Sequence, residues 1–206
     1  MPLTAEDAYH LQREMAKKVI KHDVINYNNI RYLCGVDVSY RDDRAFAYAV
    51  VIDRYNFDVM DSARSITKVK YSYVPGLLFL RESEPILSVL RKLDHGYDVL
   101  MVDDHGVLHP RRFGLACYVG IKVDKPTIGI AKNLLCGNVA ENGSQAVLLN
   151  GKVEGYAIKT GAKPIYVSVG HKISLRTAVK LVKEVSKYRI PEPLRLADIN
   201  SRKAKR

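Results

Sequence analysis

The chain has 206 residues, 47% of them hydrophobic, which suffices for one sizeable core, and we expect a single domain over residues 1–206. A formal net charge of +11, from 33 Lys and Arg against 22 Asp and Glu, favours a partner that carries phosphates, such as nucleic acid. Three widely spaced cysteines, an acidic N-terminus and the lack of an apolar run of about 18 residues argue against a disulfide framework, a zinc site, a secretion signal and a membrane span. We therefore expect a cytoplasmic monomer that binds nucleic acid and no membrane.

The first part of the chain predicts a helix followed by three strands. Thr4 and Asp7 resemble a capping box, which opens a helix that runs to about Lys21. β-branched and aromatic residues with a period of two then predict strands at Arg31–Tyr40, Ala45–Asp53 and Ser65–Tyr73. Because the connections are short, these strands are expected to form an antiparallel meander.

The middle of the chain predicts a β-α-β unit, which implies parallel pairing. Its expected elements are a helix capped by Ser83 and running to about Lys92, a strand at Asp98–Asp103, a helix at Arg111–Ile121 and a strand at Pro126–Ile130. The last part predicts a hairpin turn at Asn150–Gly151, a strand at Ile165–Val169, a helix capped by Ser174, and a frayed basic tail at Ser201–Arg206.

Two aspartates stand in apolar segments that otherwise predict buried strands. Asp37 interrupts Leu33–Val38, and Asp103 closes Val99–Asp103. A meander followed by β-α-β is the order of a ribonuclease-H-like mixed sheet flanked by helices, in which the first and fourth strands are neighbours. The two carboxylates would then lie about 5 Å apart, which suits Mg²⁺ or Mn²⁺. Alternatively, each Asp caps a turn at a strand end.

Five segments resemble the endonuclease V family closely, in order, from about Gly35 to Asp198. They are Gly35–Tyr40, Tyr73–Glu82, Val102–Arg112, Pro126–Lys132 and Pro191–Asp198. The resemblance implies a Mg²⁺-dependent DNA repair endonuclease, for which Mn²⁺ would substitute. Such an enzyme recognises deaminated bases, chiefly deoxyinosine, and hydrolyses the second phosphodiester bond on the 3′ side of the lesion.

The resemblance also implies roles for individual residues. Asp37 and Asp103 match metal ligands, Glu82 matches a third acid that acts directly or through water, and Asp198 stands where the family carries an Asp or His near the metals. Lys132 matches a lysine close to the scissile phosphate. One departure is Asp104, at a position that is usually glycine in the family, so a side chain stands where backbone was expected to approach the base.

The implied DNA-binding residues form a wedge, a base pocket and a backbone contact. The wedge is Tyr73, Val74, Pro75 and Gly76; the pocket segments contribute Gly76, Leu78, Gly106, His109, Gly114 and Leu115; and Arg111 is a candidate for the phosphate backbone. An aromatic ring can fill the gap left by an extruded base. Two alternatives are that Tyr73 simply ends a strand and that His109 supports the pocket rather than acting as a general acid or base.

Two other functions fit the same residues. An inosine-specific endoribonuclease is one, because the motifs do not decide whether a 2′-hydroxyl is required. A non-catalytic nucleic-acid-binding protein of the same fold is the other. The loss of Asp37, Glu82 or Asp103 would indicate this second alternative, but all three acids are present.

Overall fold

The computed structural model describes residues 3–141 and 144–204, and within these ranges nine strands form one mixed sheet in the order β3-β2-β1-β4-β5-β9-β8-β7-β6. The strands are β1 (Tyr32–Arg41), β2 (Arg44–Asp53), β3 (Val59–Lys68), β4 (Val99–Val102), β5 (Thr127–Ala131), β6 (Asn138–Val139), β7 (Ala146–Leu149), β8 (Lys152–Ile158) and β9 (Ile165–His171). The helices are α1 (Ala5–Ala16), α2 (Leu78–Leu90), α3 (Leu115–Val123), α4 (Leu175–Glu184) and α5 (Glu192–Ala204).

The centre of the sheet confirms the predicted ribonuclease-H-like arrangement. β1 pairs antiparallel with β2 and parallel with β4, and β4 pairs parallel with β5. The β1–β4 register ends at Val36 opposite Val102, so Asp37 and Asp103 each follow the last paired residue of neighbouring strands. The predicted Asn150–Gly151 hairpin and the Ser174 cap are also present.

The sheet buries both faces, because alternate side chains of its central strands enter different clusters. Val99 and Met101 pack in the cluster that contains α4 and α5 residues, whereas Leu100 and Val102 pack in the cluster that contains α2. Period-two alternation thus places Asp37 and Asp103 on the face that carries α5. Among the described residues, no helix combines the length and apolarity that crossing a bilayer requires.

Several predicted boundaries were wrong for identifiable reasons. The first helix stops at Ala16, short of Lys21, and Ile20 accepts a backbone hydrogen bond from Lys172 at the end of β9 instead. The third strand is Val59–Lys68 and not Ser65–Tyr73, because the chain leaves the sheet before the Pro75–Gly76 turn.

The helix starts also differ from the predicted ones. Ser83 lies inside α2, which begins at Leu78, where the buried side chain of Phe79 anchors the first turn. The third helix begins at Leu115 and not Arg111, because residues 104–114 form an irregular loop.

The C-terminal prediction was wrong for residues 201–204. Those residues form the last turn of α5, and Ser201 is fully buried. The helix lies close against β1, since a Cβ added at Gly35 would lie 2.2 Å from the carbonyl carbon of Pro193. The remaining tail residues, Lys205 and Arg206, lie outside the described residues.

Candidate active site

Three carboxylates from three separate elements meet at the end of the β1–β4 pair. Asp37 from β1, Asp103 after β4 and Asp198 from α5 each offer one carboxylate oxygen, and these oxygens lie within 4.8 Å of one another. All three side chains are partly buried. Converging oxygen ligands of this kind suit a hard divalent cation.

Two basic side chains neutralise part of this negative charge. Lys132 Nζ lies 2.5 Å from an Asp103 carboxylate oxygen and 3.5 Å from one of Asp198. Burial disfavours the charged ammonium, but the carboxylates, Asp103 foremost, outweigh it and raise the pKa of Lys132. Arg202 contributes a second cation 2.7 Å from Asp198.

The electrostatics of Asp37 favour a cation at this site. Burial, followed by the charge of Asp103, raises the pKa of Asp37 to about 7. A cation bound between these carboxylates would relieve the repulsion and compensate for the lost hydration, so the residues present fit a divalent metal.

Glu82 is adjacent to the three aspartates but is not a member of the compact set. Its carboxylate accepts a hydrogen bond from the Tyr40 hydroxyl at 3.0 Å and lines the same groove as Asp37, Asp103 and Asp198. Burial, and then the charge of Asp104, raises the pKa of Glu82 to about 8. The structure therefore places Asp198, and not Glu82, as the third carboxylate of the compact set.

A cavity of about 240 Å³ opens beside the carboxylates. This is smaller than the roughly 300–1,000 Å³ of pockets for drug-sized ligands, and it suits a single base. Asp103 and Lys132 line both the cavity and the carboxylate groove. The cavity also contains these residues from the sequence prediction: Tyr73, Gly76, Leu78, His109, Gly114 and Leu115.

Gly106 was expected in the pocket but does not line it. A Cβ at this position would lie 1.9 Å from the carbonyl oxygen of Val169, so the glycine is needed for packing against β9. Its amide donates to Ser168 Oγ at 2.9 Å.

The segment predicted to be a wedge forms a tight turn at the cavity mouth. Leu77 N donates to Val74 O at 2.9 Å, and Gly76 has φ +76°, which together with Pro75 gives the sequence and conformation of a type II turn. Tyr73 precedes this turn in a loop, with 63% of its surface exposed. The alternative of an ordinary strand-end tyrosine was wrong, because β3 ends at Lys68.

Three side chains hold this turn through one carbonyl group. Gly76 O accepts hydrogen bonds from Gln12 Nε2 (3.1 Å), Arg111 Nη2 (2.9 Å) and His109 Nε2 (3.1 Å). His109 Nδ1 accepts from the Arg111 amide, so Nε2 carries the proton. Burial, and then the charge of Arg111, lowers the pKa of His109 to about 4. His109 is therefore a neutral support of the pocket in this structure.

The arginines after His109 are likewise engaged within the protein. Arg111 also donates through Nε to Gln12 Oε1 at 2.5 Å, and its guanidinium lies over the Tyr9 ring. Arg112 pairs with the buried Glu154, which Lys21 contacts as well. Phosphate contact, expected for Arg111, would compete with these internal partners.

Asp104 lines the cavity, next in sequence to Asp103. Its Oδ2 accepts from Leu115 N, the first amide of α3, at 3.4 Å. Burial raises its pKa to about 7, although the backbone hydrogen bonds of His105 and Leu115 oppose the shift.

Sequence reasoning missed two buried polar residues at the site, Gln12 and Ser201. Gln12 is fully buried on α1 and lines the cavity. Ser201 contacts Asp37 through a hydrogen bond. A signal existed for Ser201, because Leu194, Ala197 and Ser201 follow the helical spacing of a buried stripe.

Comparison with known proteins agrees with this geometry. A family model described as endonuclease V matches residues 13–199. An endonuclease V of Thermofilum pendens is 46% identical over 200 residues, which are 94% of this chain and 86% of that protein. The chain belongs to the endonuclease V family. As a family member it is an endonuclease, and the match includes all three aspartates, Asp37, Asp103 and Asp198.

Solved endonuclease V structures superpose on most of the chain. The enzyme from Streptomyces avermitilis gives a TM-score of 0.91 at 37% identity, and the alignment covers 98% of this chain and 93% of the Streptomyces chain. Endonuclease V of Ciona intestinalis, in complex with a 24mer DNA containing an inosine followed by a ribo-adenosine, gives a TM-score of 0.84 at 29% identity and covers 95% of both chains.

Proposed function

We propose that this protein is a divalent-metal-dependent endonuclease that recognises inosine, chiefly deoxyinosine in DNA, and hydrolyses the second phosphodiester bond on its 3′ side. The observation that carries this proposal is the juxtaposition of three carboxylates with a base-sized cavity, the two sharing Asp103 and Lys132. The inosine-containing DNA bound to the Ciona enzyme supports the same class of substrate.

In this proposal the carboxylates of Asp37, Asp103 and Asp198 would hold Mg²⁺, for which Mn²⁺ would substitute, and Glu82 would supply a fourth acid in the same groove. When bound, such a cation activates water and neutralises charge that develops on the phosphodiester. Lys132 offers its ammonium to the scissile phosphate from the wall that the groove shares with the cavity.

Recognition of the lesion rests on the cavity and the turn beside it. A damaged base that leaves the stack would enter the cavity between Leu78 and Leu115, and Tyr73 would fill the gap in the helix. The turn Val74–Leu77 presents Tyr73, and His109 and Arg111 hold that turn through Gly76. Arg111 therefore acts in DNA binding through the turn.

An inosine-specific endoribonuclease is the second candidate. It is favoured by one observation, which is that the nucleotide after inosine in the Ciona complex is a ribo-adenosine. A protein that used the 2′-hydroxyl at that position would cut a strand with one ribonucleotide 3′ of the lesion faster than an all-deoxy strand.

The test is cleavage of matched oligonucleotides that contain one inosine, in all-DNA, single-ribonucleotide and all-RNA forms, with the cut position mapped in Mg²⁺, in Mn²⁺ and in EDTA. We expect a cut at the second phosphodiester bond on the 3′ side of inosine in either metal, and no cut in EDTA.

Asp103→Ala should lower kcat/KM on the order of 10³-fold, because several kcal/mol of transition-state stabilisation are lost. Asp58→Ala, an exposed acid after β2, is the matched control and should cut normally. Undiminished cutting in EDTA or by Asp103→Ala would refute the proposal.

A further inference from the structure

Ser201 makes a direct hydrogen bond to one of the three aspartates. Its side chain has no exposed surface, and its Oγ donates to Asp37 Oδ2 at 2.7 Å. The same Oγ also lies 3.1 Å from Asp198 O. A hydroxyl has one hydrogen to donate, and the shorter, charge-assisted bond to Asp37 is the stronger of the two.

The position of Ser201 is fixed independently of Asp37. Ser39 Oγ, two residues beyond Asp37 on β1, donates to the carbonyl of Ser201 at 2.6 Å. At the other end of the helix, Gly35 lets α5 come into backbone contact with β1 near Pro193. Since α5 is held against β1 at both ends, the hydroxyl of Ser201 is presented to Asp37 by a rigid frame.

We propose that Ser201 is a positioning residue of the metal site, whose hydroxyl fixes the orientation of the Asp37 carboxylate before a cation binds. This inference rests on the proposed function, which makes Asp37 a metal ligand. Residues that hydrogen-bond to a metal ligand restrict its rotation, so less order has to be imposed when the metal binds. One helix then supplies both a carboxylate, Asp198, and the residue that orients another, Asp37.

The experiment measures Mn²⁺ binding to the metal-free protein by calorimetry, with no nucleic acid present. Ser201→Ala removes the hydroxyl, and Ser201→Cys keeps nearly the same volume but replaces a strong donor with a weak one. Each should weaken Mn²⁺ binding about tenfold. Each should also raise the Mg²⁺ concentration for half-maximal cleavage by a similar factor, while kcat at saturating Mg²⁺ changes much less.

Ser65→Ala is the matched control, because Ser65, like Ser201, is a buried serine. Its hydroxyl donates to the backbone carbonyl of Pro85, away from the acidic groove. It should cost similar stability and leave Mn²⁺ binding at the wild-type level. Thermal unfolding without metal establishes that each variant is folded, and if Ser201→Ala is not, Ser201→Cys decides.

Asp103→Ala separates failure of this inference from failure of the proposed function. If Asp103→Ala loses Mn²⁺ binding while the folded Ser201 variants bind as tightly as wild type, the positioning role is overturned and the proposed metal site stands. If Asp103→Ala binds Mn²⁺ normally, the metal site itself is wrong, and the role of Ser201 falls with it.

Discussion

Asp104 places a carboxylate in the wall of the cavity, next in sequence to Asp103 of the acidic groove. Where the family resemblance leads us to expect glycine, this side chain accepts a hydrogen bond from Leu115 N. It is also the first of the neighbouring charges that raise the pKa of Glu82. The amide of Leu115 therefore serves the protein's own carboxylate instead of a base that enters the cavity.

Asp104→Gly is expected to raise kcat/KM for inosine-containing DNA. The change exposes the Leu115 amide to an acceptor atom such as the hypoxanthine oxygen and removes negative charge from the cavity wall. One added hydrogen bond of about 1 kcal/mol corresponds to roughly a fivefold gain. Asp104→Asn, which removes the charge but keeps a side chain on the amide, should gain less. Both kcat/KM and the affinity for the same DNA in EDTA are measured. An unchanged kcat/KM for Asp104→Gly would contradict the expected gain, and a lower kcat/KM would show that the carboxylate assists recognition.

Which residues could be predicted individually depended on where their partners lie in the sequence. Asp37, Asp103 and Asp198 stand in recognisable segments, and the structure brings them together. The partners of Gln12 and Ser201 are 64 and 164 residues away, at Gly76 and Asp37. No local pattern encodes such a pairing. Helical spacing could have indicated that Ser201 is buried, but the partners of both residues are evident only in the folded chain.

At the scale of elements, α1 and the turn Val74–Leu77 form one unit. Gln12 reaches from the helix to the carbonyls of Gly76 and Phe113 and so joins the turn to the residue that precedes Gly114 of the cavity wall. Val74 in the turn and Tyr73 just before it are exposed, whereas Leu77 at the end of the turn is buried. An exposed aromatic ring on a firmly held turn has the geometry of a device that inserts into a base stack.

Tyr73→Ala should reduce cleavage of inosine in a well-paired duplex more than in a single strand. The ring's stacking is worth about 1–3 kcal/mol when a base has to leave the helix, and that work is already done in a single strand. Gln12→Ala should reproduce this duplex-selective loss, since it loosens the turn without touching the ring. Tyr188→Ala is the control, because this exposed tyrosine lies away from the cavity lining. Equal losses on both substrates would assign Tyr73 and Gln12 to folding or chemistry instead of strand separation.

Elements with strong periodicity were predictable, and those set by tertiary contacts were not. β1, β2, β4 and β5 are buried strands whose apolar runs are explicit in the sequence. β3 was misplaced because it exposes apolar side chains such as Val59 and Ile66, which blurs its alternation. α5 was missed because prolines surround its start, although Pro193 stands in the first turn, where a missing N–H costs nothing.

The molecule as a whole is basic, yet it contains a local concentration of buried acids. The net charge of +11 coexists with three acids whose pKa is raised, namely Asp37 and Asp104 to about 7 and Glu82 to about 8. Burial is the largest cause for each. The fold therefore holds a site in which ionisation is unfavourable until a cation arrives, and this links its stability to both pH and metal.

The metal-free protein should lose stability between about pH 7 and 8.5. In the unfolded chain these acids ionise near pH 4, whereas in the folded protein they keep protons up to about pH 7 or 8. Their contribution to stability is therefore complete below about pH 4, declines as pH rises, and is fully lost only once pH exceeds the folded values. Above pH 7 the histidines with lowered pKa, His105, His109 and His171, are largely neutral in both states and do not interfere. Mg²⁺ binds the ionised carboxylates, so the stabilisation it confers should grow over the same range.

Thermal unfolding across this range, with and without Mg²⁺, tests both trends. Glu82→Gln should flatten the decline of the metal-free Tm with pH. A metal-free Tm that rises with pH, or a Mg²⁺ effect that does not grow, would show that these acids are ionised in the folded protein without a cation.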